Sequence, residues 1–567
     1  MSPIPLRSAL VVCAGAFAAW AAAQTHVYHH QVIHDPTAPA LARAVDPMPD
    51  GTAVYVAEYS NPPMIPPPAA RPLLVQFDPD LRPMRGVTFF RPGEFPGPAM
   101  TQLFVLPREQ DIAPDASMIL CGDFEERDPN GGLLLRGAFV MRLDPMFNVI
   151  WYREYPRVDS FFDITIMSPG IGLPIESIVC GYRRLSPQGP TYATVAGLDP
   201  MGNVLWARDV WSIKQGLQGD AEYRAIIRFN PEEAALVGSA NMNRGTNDQY
   251  LADADLLVTR VRRDGVLVFN RVYGQYVAPG PDGALYGVVE RGWSLDQIQN
   301  SGMLLITGQV AANPLTPFGA PWYEDVLAVR LDPLGLPMWS WRYDFAASFD
   351  FGRDIKVTGI EESHILADAY TPFFAPNFSP DLGLLHLDPG GIPLPPSDVF
   401  GGPRVDIAAE LLRGGPPMPM PLEVMLLGSS DSFGPNYPVP YLLERFQRAC
   451  YRCQSVELPV PPIPSPLEMI PAFDEAVPLV SDFRELLAIP VPLQPMTICK
   501  NCLVGDTNCD GFVTVGDISG FVLAITNPAA YLATYPNCCI ETADVNCDGF
   551  VTVGDIAPFV QMLVGGP

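Results

Sequence analysis

Short apolar stretches recur along most of the chain, and turns built on aspartate separate them. In the commonest form an apolar stretch runs into an Asp-Pro pair, and a second apolar stretch that often opens on tryptophan follows the turn. Strand-like stretches that alternate with turn residues predict antiparallel β-structure. Six copies are plain, and their turns lie at Asp78, Asp144, Asp199, Asp264, Asp332 and Asp388.

A second apolar phrase precedes these turns and closes on Gly, Ala or Asp. It occurs seven times, as VYVAEYS, MILCGDF, SIVCGYR, ALVGSAN, LLITGQV, HILADAY and VMLLGSS. The aligned turn positions Asp78, Asp144, Asp199, Arg262, Asp332 and Asp388 stand 66, 55, 63, 70 and 56 residues apart. A four-stranded propeller blade needs about 40 to 50 residues, so each unit has room for one blade with long loops.

The sixth unit shows what one repeat contains. Its four candidate strands lie around residues 354–358, 364–369, 382–387 and 398–400. Seven such sheets set radially bury their faces against each other, and closure of the ring protects the sheet edges. The sequence therefore predicts a mainly β fold, a seven-bladed β-propeller over residues 24–449. The strand-like segment HVYHHQVIHD, before the first unit, is expected to complete the shorter seventh unit.

Composition and charge narrow the range of partners. Hydrophobic residues make up 48% of the chain, which argues against disorder, while 64 prolines and 48 glycines fit turn-rich β-structure. Asp and Glu number 62 against 35 Lys and Arg, a formal charge of -27. Such a surface repels nucleic acid and anionic membranes and favours calcium and cationic partners.

The first 23 residues have the pattern of a signal peptide. Arg7 precedes an apolar run from Ala9 that closes on small residues at Ala21-Ala22-Ala23. The run is short for a membrane anchor. We expect export to the cell envelope, the periplasm or the medium, with no membrane span after cleavage.

Residues 450–503 are predicted to be a proline-rich linker. Ten prolines fall within the 45 residues from 454 to 498, a composition that extends the chain as a semi-rigid spacer. A short helix is expected near 482–487. The pairs Cys450/Cys453 and Cys499/Cys502 bracket the segment. They could hold zinc, but disulfides are favoured in an exported protein.

The sharpest pattern lies near the C-terminus. The segment DTNCDGFVTVGD begins at 506 and returns 38 residues later with one change. Oxygen ligands at the first, third, fifth, seventh, ninth and twelfth positions are those of an EF-hand calcium loop. The sequence thus predicts two Ca²⁺ sites, with ligands Asp506, Asn508, Asp510, Phe512, Thr514 and Asp517, and Asp544, Asn546, Asp548, Phe550, Thr552 and Asp555.

Apolar residues with helical spacing follow each loop, and two helices are predicted to bury these faces against each other. The residues are Ile518, Phe521, Val522 and Ile525, and Ile556, Phe559, Val560 and Leu563. Asp stands at the twelfth position, where an ordinary EF-hand has Glu, and no helix pattern precedes either loop.

These features resemble dockerin modules of type I, whose paired half-EF-hands bind calcium. The resemblance covers residues 504–567, and the NCDG and VGDI wording is most similar to dockerin-like tails of secreted planctomycete-type bacterial proteins. It implies a tail that binds a cohesin-like or other extracellular or cell-surface partner. Val515-Gly516 and Val553-Gly554 stand where cellulosomal dockerins present small polar or charged residues to cohesin.

The body shows no nucleophile-base pattern, and several tempting residues are interpreted as packing. The acidic stretch at 248–255 is predicted to be a solvated loop. Four histidines before residue 35 are interpreted as part of an edge strand. The residues assigned to packing or core are Trp151, Trp206, Trp339, His364 and His386, with Cys121 and Cys180 as buried free thiols.

The expected function is therefore binding. We expect a secreted, non-catalytic propeller that takes a glycan or protein ligand and is tethered through its calcium-dependent tail. The alternative is a propeller-type polysaccharide-active enzyme, a glycoside hydrolase or lyase, because dockerin tails accompany such enzymes. No catalytic residue is assigned from the sequence.

Overall fold

The computed structural model describes most of the chain after residue 27, so the predicted signal peptide and His26 lie outside the described residues. The described ranges are 28–34, 39–60, 70–78, 81–90, 102–128, 130, 132–167, 177–214, 216–242, 254–274, 289–298, 301–311, 324–345, 349–358, 361–371, 379–394, 397–401, 404–413, 422–432, 439–446, 455–458, 460–465, 467–484, 486–490, 494–499, 504–508, 513–535, 538, 540–546 and 550–565.

The described strands pair into seven antiparallel sheets, numbered here in chain order. Each takes four consecutive strands, except that sheet 7 takes three and its fourth comes from the N-terminal segment. Sheet 1 contains β2 (Ala40–Pro47), β3 (Ala53–Ser60), β4 (Ala70–Phe77) and β5 (Pro83–Phe90); sheet 2 contains β6 (Gln102–Ile112), β7 (Met118–Arg127), β8 (Leu133–Leu143) and β9 (Val149–Tyr155); sheet 3 contains β10 (Ser160–Ile166), β11 (Ser177–Arg184), β12 (Thr191–Leu198) and β13 (Val204–Lys214), with the short β14 (Leu217–Gln218).

The remaining sheets follow the same plan. Sheet 4 contains β15 (Asp220–Asn230), β16 (Glu233–Met242), β17 (Asp255–Arg262) and β18 (Leu267–Gly274); sheet 5 contains β19 (Glu290–Ile298), β20 (Met303–Ala311), β21 (Glu324–Leu331) and β22 (Pro337–Tyr343); sheet 6 contains β23 (Asp350–Thr358), β24 (Glu362–Thr371), β25 (Ser379–Leu387) and β26 (Ser397–Phe400); sheet 7 contains β27 (Asp406–Arg413), β28 (Leu422–Ser430), β29 (Val439–Phe446) and β1 (Tyr28–His34).

Successive sheets contact each other around a ring. Contacts join β2 to β6, β6 to β10, β10 to β15, β15 to β19, β19 to β23 and β23 to β27, and β27 returns to β2. The apolar core is correspondingly divided, because clusters of buried side chains fill the spaces between adjacent sheets. The prediction of a β-propeller is confirmed, and so is the pairing of the N-terminal segment with sheet 7, through Tyr28 opposite Arg445.

The hydrogen bonds of the repeated Asp turns explain why the motif recurs. The carboxylate of Asp199 accepts the backbone N–H groups of Met201 at 2.9 Å and Asn203 at 2.8 Å, which closes the turn. Trp151 of the preceding sheet donates its ring N–H to the carbonyl of Pro200 in that turn at 3.0 Å. The repeated motif therefore bonds one sheet to the next, because a closed turn presents its carbonyls to the neighbouring sheet.

The same contact recurs around the ring. Trp206 donates to the carbonyl of Arg263 at 2.6 Å, and Trp339 donates to that of Pro389 at 3.1 Å. The interpretation of the three tryptophans as packing between units is thereby confirmed.

The proline-rich segment 455–499, called the belt below, encircles the ring. It contributes a fifth strand, antiparallel to the outer strand, to sheets 6, 5, 4, 3, 2, 1 and 7 in that order. Its strands are β30 (Ser455–Leu458), β31 (Ile463–Pro464), β32 (Glu468–Ile470), β33 (Ala472–Ala476), β34 (Asp482–Arg484), β35 (Leu487–Pro490) and β36 (Gln494–Cys499).

Side chains of the belt also enter the spaces between sheets. Leu486 lies in the cluster between sheets 1 and 2, Leu479 in that between sheets 2 and 3, and Ile470 in that between sheets 3 and 4. Leu467 and Val460 do the same between sheets 4 and 5 and between sheets 5 and 6. Burying a side chain of this size stabilises a fold by about 1.5 to 3 kcal/mol. The belt thus covers sheet edges and fills the clefts beside them.

Two expectations about this segment are wrong. It is not a spacer, because backbone hydrogen bonds hold it to every sheet, and residues 482–484 form a strand rather than a helix. Prolines suited to an extended linker also suit an outermost strand, since that strand needs hydrogen bonds on one side only. Of the four cysteines that bracket the belt, Cys450, Cys453 and Cys502 lie outside the described residues.

The C-terminal part is helical, as predicted. Its helices are α1 (Ile518–Thr526), α2 (Pro528–Thr534) and α3 (Ile556–Gly565), and 3-10 turns span Val515–Asp517, Ile540–Ala543 and Val553–Asp555. The rings of Phe521 and Phe559 stack with centroids 3.9 Å apart. The predicted buried faces are only partly correct, because Ile518, Val522, Ile556 and Val560 are exposed. Within the described residues, the helices are all too short or too polar to cross a membrane.

Removing the belt tests its contribution to stability. A chain that ends after residue 454 should melt roughly 10 °C or more below the full chain, because outer edges and inter-sheet clefts lose their cover. It should also aggregate through the exposed edges. The control ends after residue 503 and keeps the belt. Equal melting temperatures for the two truncated chains, measured by circular dichroism, would show that the belt adds no stability.

Candidate functional site

Every sheet carries an irregularity in its innermost strand, at the wall of the central channel. The pairing of the first strand with the second shifts by one residue in all seven sheets. Side chains along a strand normally alternate between the two faces of the sheet, and a bulge of this kind redirects one of them. Bulges are frequent beside active sites. The bulged residues are Arg43, Arg108, Phe162, Arg224, Trp293, Arg353 and Ala409.

A glycine on the second strand, in repeated motifs such as SIVCGYR, makes room for this bulge. A Cβ atom added to Gly181 would lie 1.9 Å from the carbonyl oxygen of Ser160 on the inner strand. The corresponding distance is 2.0 Å from Gly238 to Glu222 and 1.7 Å from Gly308 to Arg291. The inner strand approaches so closely that a side chain is excluded. The Gly of phrases such as SIVCGYR therefore marks the site, although the sequence alone does not show this.

The inner strands enclose a cavity of about 250 Å³. All seven sheets contribute to its wall, which is polar and rich in charge. Its ionisable lining residues are Asp46, Glu109, Asp111, Asp163, Arg224, Arg228, Arg353, Asp354, Lys356 and Glu410. This cluster has no signature in the sequence, because residues from seven separate units converge only when the ring closes.

Most carboxylates of this wall bind the backbone of the next sheet. Asp111 accepts the N–H of Ile166 at 2.6 Å, and Asp163 accepts that of Ile226 at 2.6 Å. On the other side of the ring, Asp354 accepts from Leu411 at 2.8 Å, and Glu410 accepts from Val45 at 2.5 Å. These carboxylates satisfy buried N–H groups that an inner strand would otherwise leave unpaired. Their role is structural.

Asp46 and Glu109 are different. Glu109 accepts only the N–H of the following residue, Gln110, at 3.0 Å, and Oδ2 of Asp46 is buried without a hydrogen-bond partner among the described residues. Both line the cavity from neighbouring sheets. Burial raises the pKa of each carboxyl well above its ordinary value, and the charge of Glu410 raises both further. The pair therefore holds protons more tightly than ordinary acids.

Lys356 is the cationic centre of the opposite wall. Its ammonium lies 3.2 Å from the carboxylates of both Asp354 and Glu410. Burial opposes protonation of this lysine, but these two charges outweigh it, and the pKa of Lys356 is raised. Burial raises the pKa of Glu410 to about 7, although Lys356 pulls it down.

The described residues of the two predicted calcium loops make the same hydrogen bonds in each loop. Asp517 accepts the backbone N–H of Asn508 at 3.0 Å and of Thr514 at 2.8 Å. Asp555 does the same with Asn546 at 2.9 Å and Thr552 at 2.8 Å. The twelfth residue thus ties the third and ninth positions of each loop together.

The other loop residues are placed less completely. Asp506 and Asp544 are buried at the loop starts, and Phe550 is exposed. Asp510, Phe512 and Asp548 lie outside the described residues. In the part of the chain that is described, no three His, Cys, Asp or Glu side chains gather as a metal site. Carboxylate, amide and hydroxyl oxygens in this order fit a hard cation such as Ca²⁺.

Other sequence-based interpretations have mixed outcomes. Cys121 and Cys180 are buried free thiols, as expected. His364 is buried and stacks on His386 with ring centroids 4.2 Å apart, which fits the expected core role. The acidic stretch was interpreted wrongly at Asp255, which is fully buried and pairs with Lys214 at 2.6 Å.

Comparisons with known proteins leave the family open. No protein-family model and no curated protein matches the chain. Among solved structures, an α-L-arabinofuranosidase of Fusarium graminearum in complex with an iminosugar inhibitor matches at 11% identity over 73% of this chain and 97% of that one, with a TM-score of 0.32. An α-L-arabinanase of Penicillium chrysogenum complexed with arabinobiose matches at 10% identity over 74% and 98%, with a TM-score of 0.31. Likeness of this degree carries no inference about activity.

The buried carboxyls should make stability depend on pH. Glu410 keeps its proton in the folded state up to about pH 7, whereas the unfolded chain releases it near the ordinary value of 4.5. The free energy of unfolding should therefore fall as pH rises from about 5 to 7. Glu410→Gln should flatten this slope by up to about 1 kcal/mol per pH unit, as measured by urea unfolding. Glu475→Gln, at an exposed belt position, is the control. Identical slopes in the two variants would contradict the assignment.

Proposed function

We propose that the central cavity is the active site of a polysaccharide-active enzyme, a glycoside hydrolase. The observation that carries this proposal is the pair Asp46 and Glu109. Both face the cavity, and unlike the neighbouring carboxylates neither accepts a bond from the next sheet's backbone within the described ranges. Hydrolysis of a glycosidic bond uses two carboxyl groups, one that donates a proton and one that acts as a carboxylate.

The raised pKa values of Asp46 and Glu109 suit one proton donor and one carboxylate. Glu109 acts as the acid, because its buried carboxyl holds a proton that it gives to the leaving glycosidic oxygen. Asp46, once ionised, acts as the carboxylate partner. The charge of Asp46 raises the pKa of Glu109 further, so Glu109 keeps its proton when Asp46 ionises, and the pair then holds one acid and one carboxylate.

Non-catalytic binding is the second candidate. It is favoured by the structural role of Asp111, Asp163, Asp354 and Glu410, whose bonds to neighbouring sheets leave few groups for chemistry. In that case the cavity holds a polar ligand without turnover, and the propeller acts as an adaptor.

The ring and the tail complete the proposal. We assign the seven sheets to seven blades, since each has its own innermost strand and the last sheet contacts the first. The protein is exported, its two C-terminal loops bind Ca²⁺, and the dockerin-like tail holds a cohesin-like or other extracellular partner. The matching bonds of Asp517 and Asp555 support a pair of equivalent cation sites.

Glu109→Gln tests the enzymatic proposal. Incubation of the full chain with a panel of polysaccharides should release reducing ends, and this variant should lower the rate by at least about a hundredfold, because an amide cannot donate the proton. Glu475→Gln should retain full activity. Saturable binding by the unmodified protein without any release of reducing ends would establish the adaptor role instead.

Calcium binding is tested on the full chain after chelation. Addition of Ca²⁺ should raise the melting temperature of the C-terminal part, since a ligand at a hundredfold excess over its Kd stabilises by about 2.7 kcal/mol. Asp517→Asn combined with Asp555→Asn should abolish this shift, whereas Asp482→Asn in the belt should preserve it. A shift that persists in the double variant, measured by scanning calorimetry, would place the calcium elsewhere.

A further inference from the structure

Five bulged residues form a continuous arc of alternating arginine and aromatic side chains. Arg224 stacks over the rings of Phe162 at 4.0 Å and Trp293 at 4.7 Å. Two more arginines stand at the ends of the arc. Cζ of Arg353 lies 5.0 Å from the ring centroid of Trp293, and Cζ of Arg108 lies 5.8 Å from that of Phe162. These five residues, called the arginine–aromatic collar below, span sheets 2 to 6.

Each arginine of the collar is held in the same way. Nε and Nη2 of Arg108 bond Asp123, those of Arg224 contact Glu222, and those of Arg353 contact Asp368. Each carboxylate partner lies in the same sheet as its arginine, so one edge of every guanidinium is fixed. Nη1 of all three has no hydrogen bond to the described residues. The arginines are partly exposed, and Arg224 and Arg353 line the cavity with Trp293.

This arrangement preorganises donors rather than merely pairing charges. A guanidinium has five N–H donors in a rigid plane, and one carboxylate occupies the two along one edge. Stacking on aromatic rings fixes the plane of the remaining donors, so little side-chain entropy is lost when a ligand binds. Oxyanions that can accept two parallel N–H bonds are the groups that such donors recognise best.

The collar also adjoins the proposed catalytic pair. Glu109 directly follows the bulged Arg108 on β6, and it lines the same cavity as Arg224, Trp293 and Arg353. The proton on Glu109 reduces the repulsion that an anionic ligand would otherwise meet in this acidic protein.

We propose that the arginine–aromatic collar binds an oxyanion carried by the sugar ligand, a carboxylate or a sulfate, and selects acidic glycans for the cavity. The inference rests on the proposed function only for the location of the site, and it names the class of ligand. Ala409, the smallest bulged residue, leaves the arc open toward sheet 7.

The test measures binding by the full chain. The probes are trigalacturonate, its methyl ester and a sulfated galactose oligosaccharide, titrated calorimetrically. We expect one acidic probe to bind at least about tenfold more tightly than the neutral ester, and Arg224→Gln or Arg353→Gln to remove that preference. A preference for trigalacturonate identifies a carboxylate ligand, and a preference for the sulfated probe identifies a sulfate ligand.

Arg262→Gln is the matched control, because Arg262 is the exposed last residue of β17 in the sheet that carries Arg224. It should keep the preference for acidic probes. Melting temperatures of all variants are compared first, and Arg353→Gln provides the second reading if Arg224→Gln does not fold. Equal affinity for the acidic and neutral probes, or no binding of any probe, overturns the proposal.

The two proposals fail separately. Arginine-dependent binding of an acidic probe without turnover supports the binding role of the collar and rules out the hydrolase proposal. Turnover of neutral glycans that depends on Glu109, without any preference controlled by Arg224, supports the hydrolase and removes the collar.

Discussion

Each sheet of this ring must bury two faces and satisfy one outer edge, and most of the structure follows from that requirement. A four-stranded sheet standing alone would expose apolar faces and a row of unpaired backbone groups. Neighbouring sheets cover the faces, and the belt at residues 455–499 pairs with every outer edge. The last sheet contacts the first, so no sheet is left at an end.

The repeated sequence motifs serve this packing rather than ligand binding. Asp199 closes a turn, Trp151 of the preceding sheet bonds to that turn, and the glycine of the second phrase lets the inner strand bulge. The positions that differ between units are those that face the channel. Bulged positions hold arginine, phenylalanine, tryptophan or alanine in different sheets, and these differences shape the channel.

The channel wall combines two kinds of carboxyl. Asp163 and Glu410 bind N–H groups of the next sheet and so belong to the framework. Asp46 and Glu109 line the same cavity without such a bond to the part of the chain that is described, which leaves their oxygens to a ligand. Burial raises the pKa of both kinds, so a raised pKa alone does not distinguish a structural acid from a catalytic one.

The sequence by itself determined the repeat, the β class, the strands of the sixth unit, the N-terminal strand of sheet 7 and the helices after the two loops. These are local patterns of apolar spacing and turn residues, which the chain carries wherever it folds. The predicted linker is in fact the belt, because the same prolines fit an extended spacer and an outermost strand. Only the tertiary structure brought Asp46, Glu109 and the arginines together. Apart from the neighbours Arg108 and Glu109, they come from separate units far apart in sequence, and nothing local links those units until the ring closes.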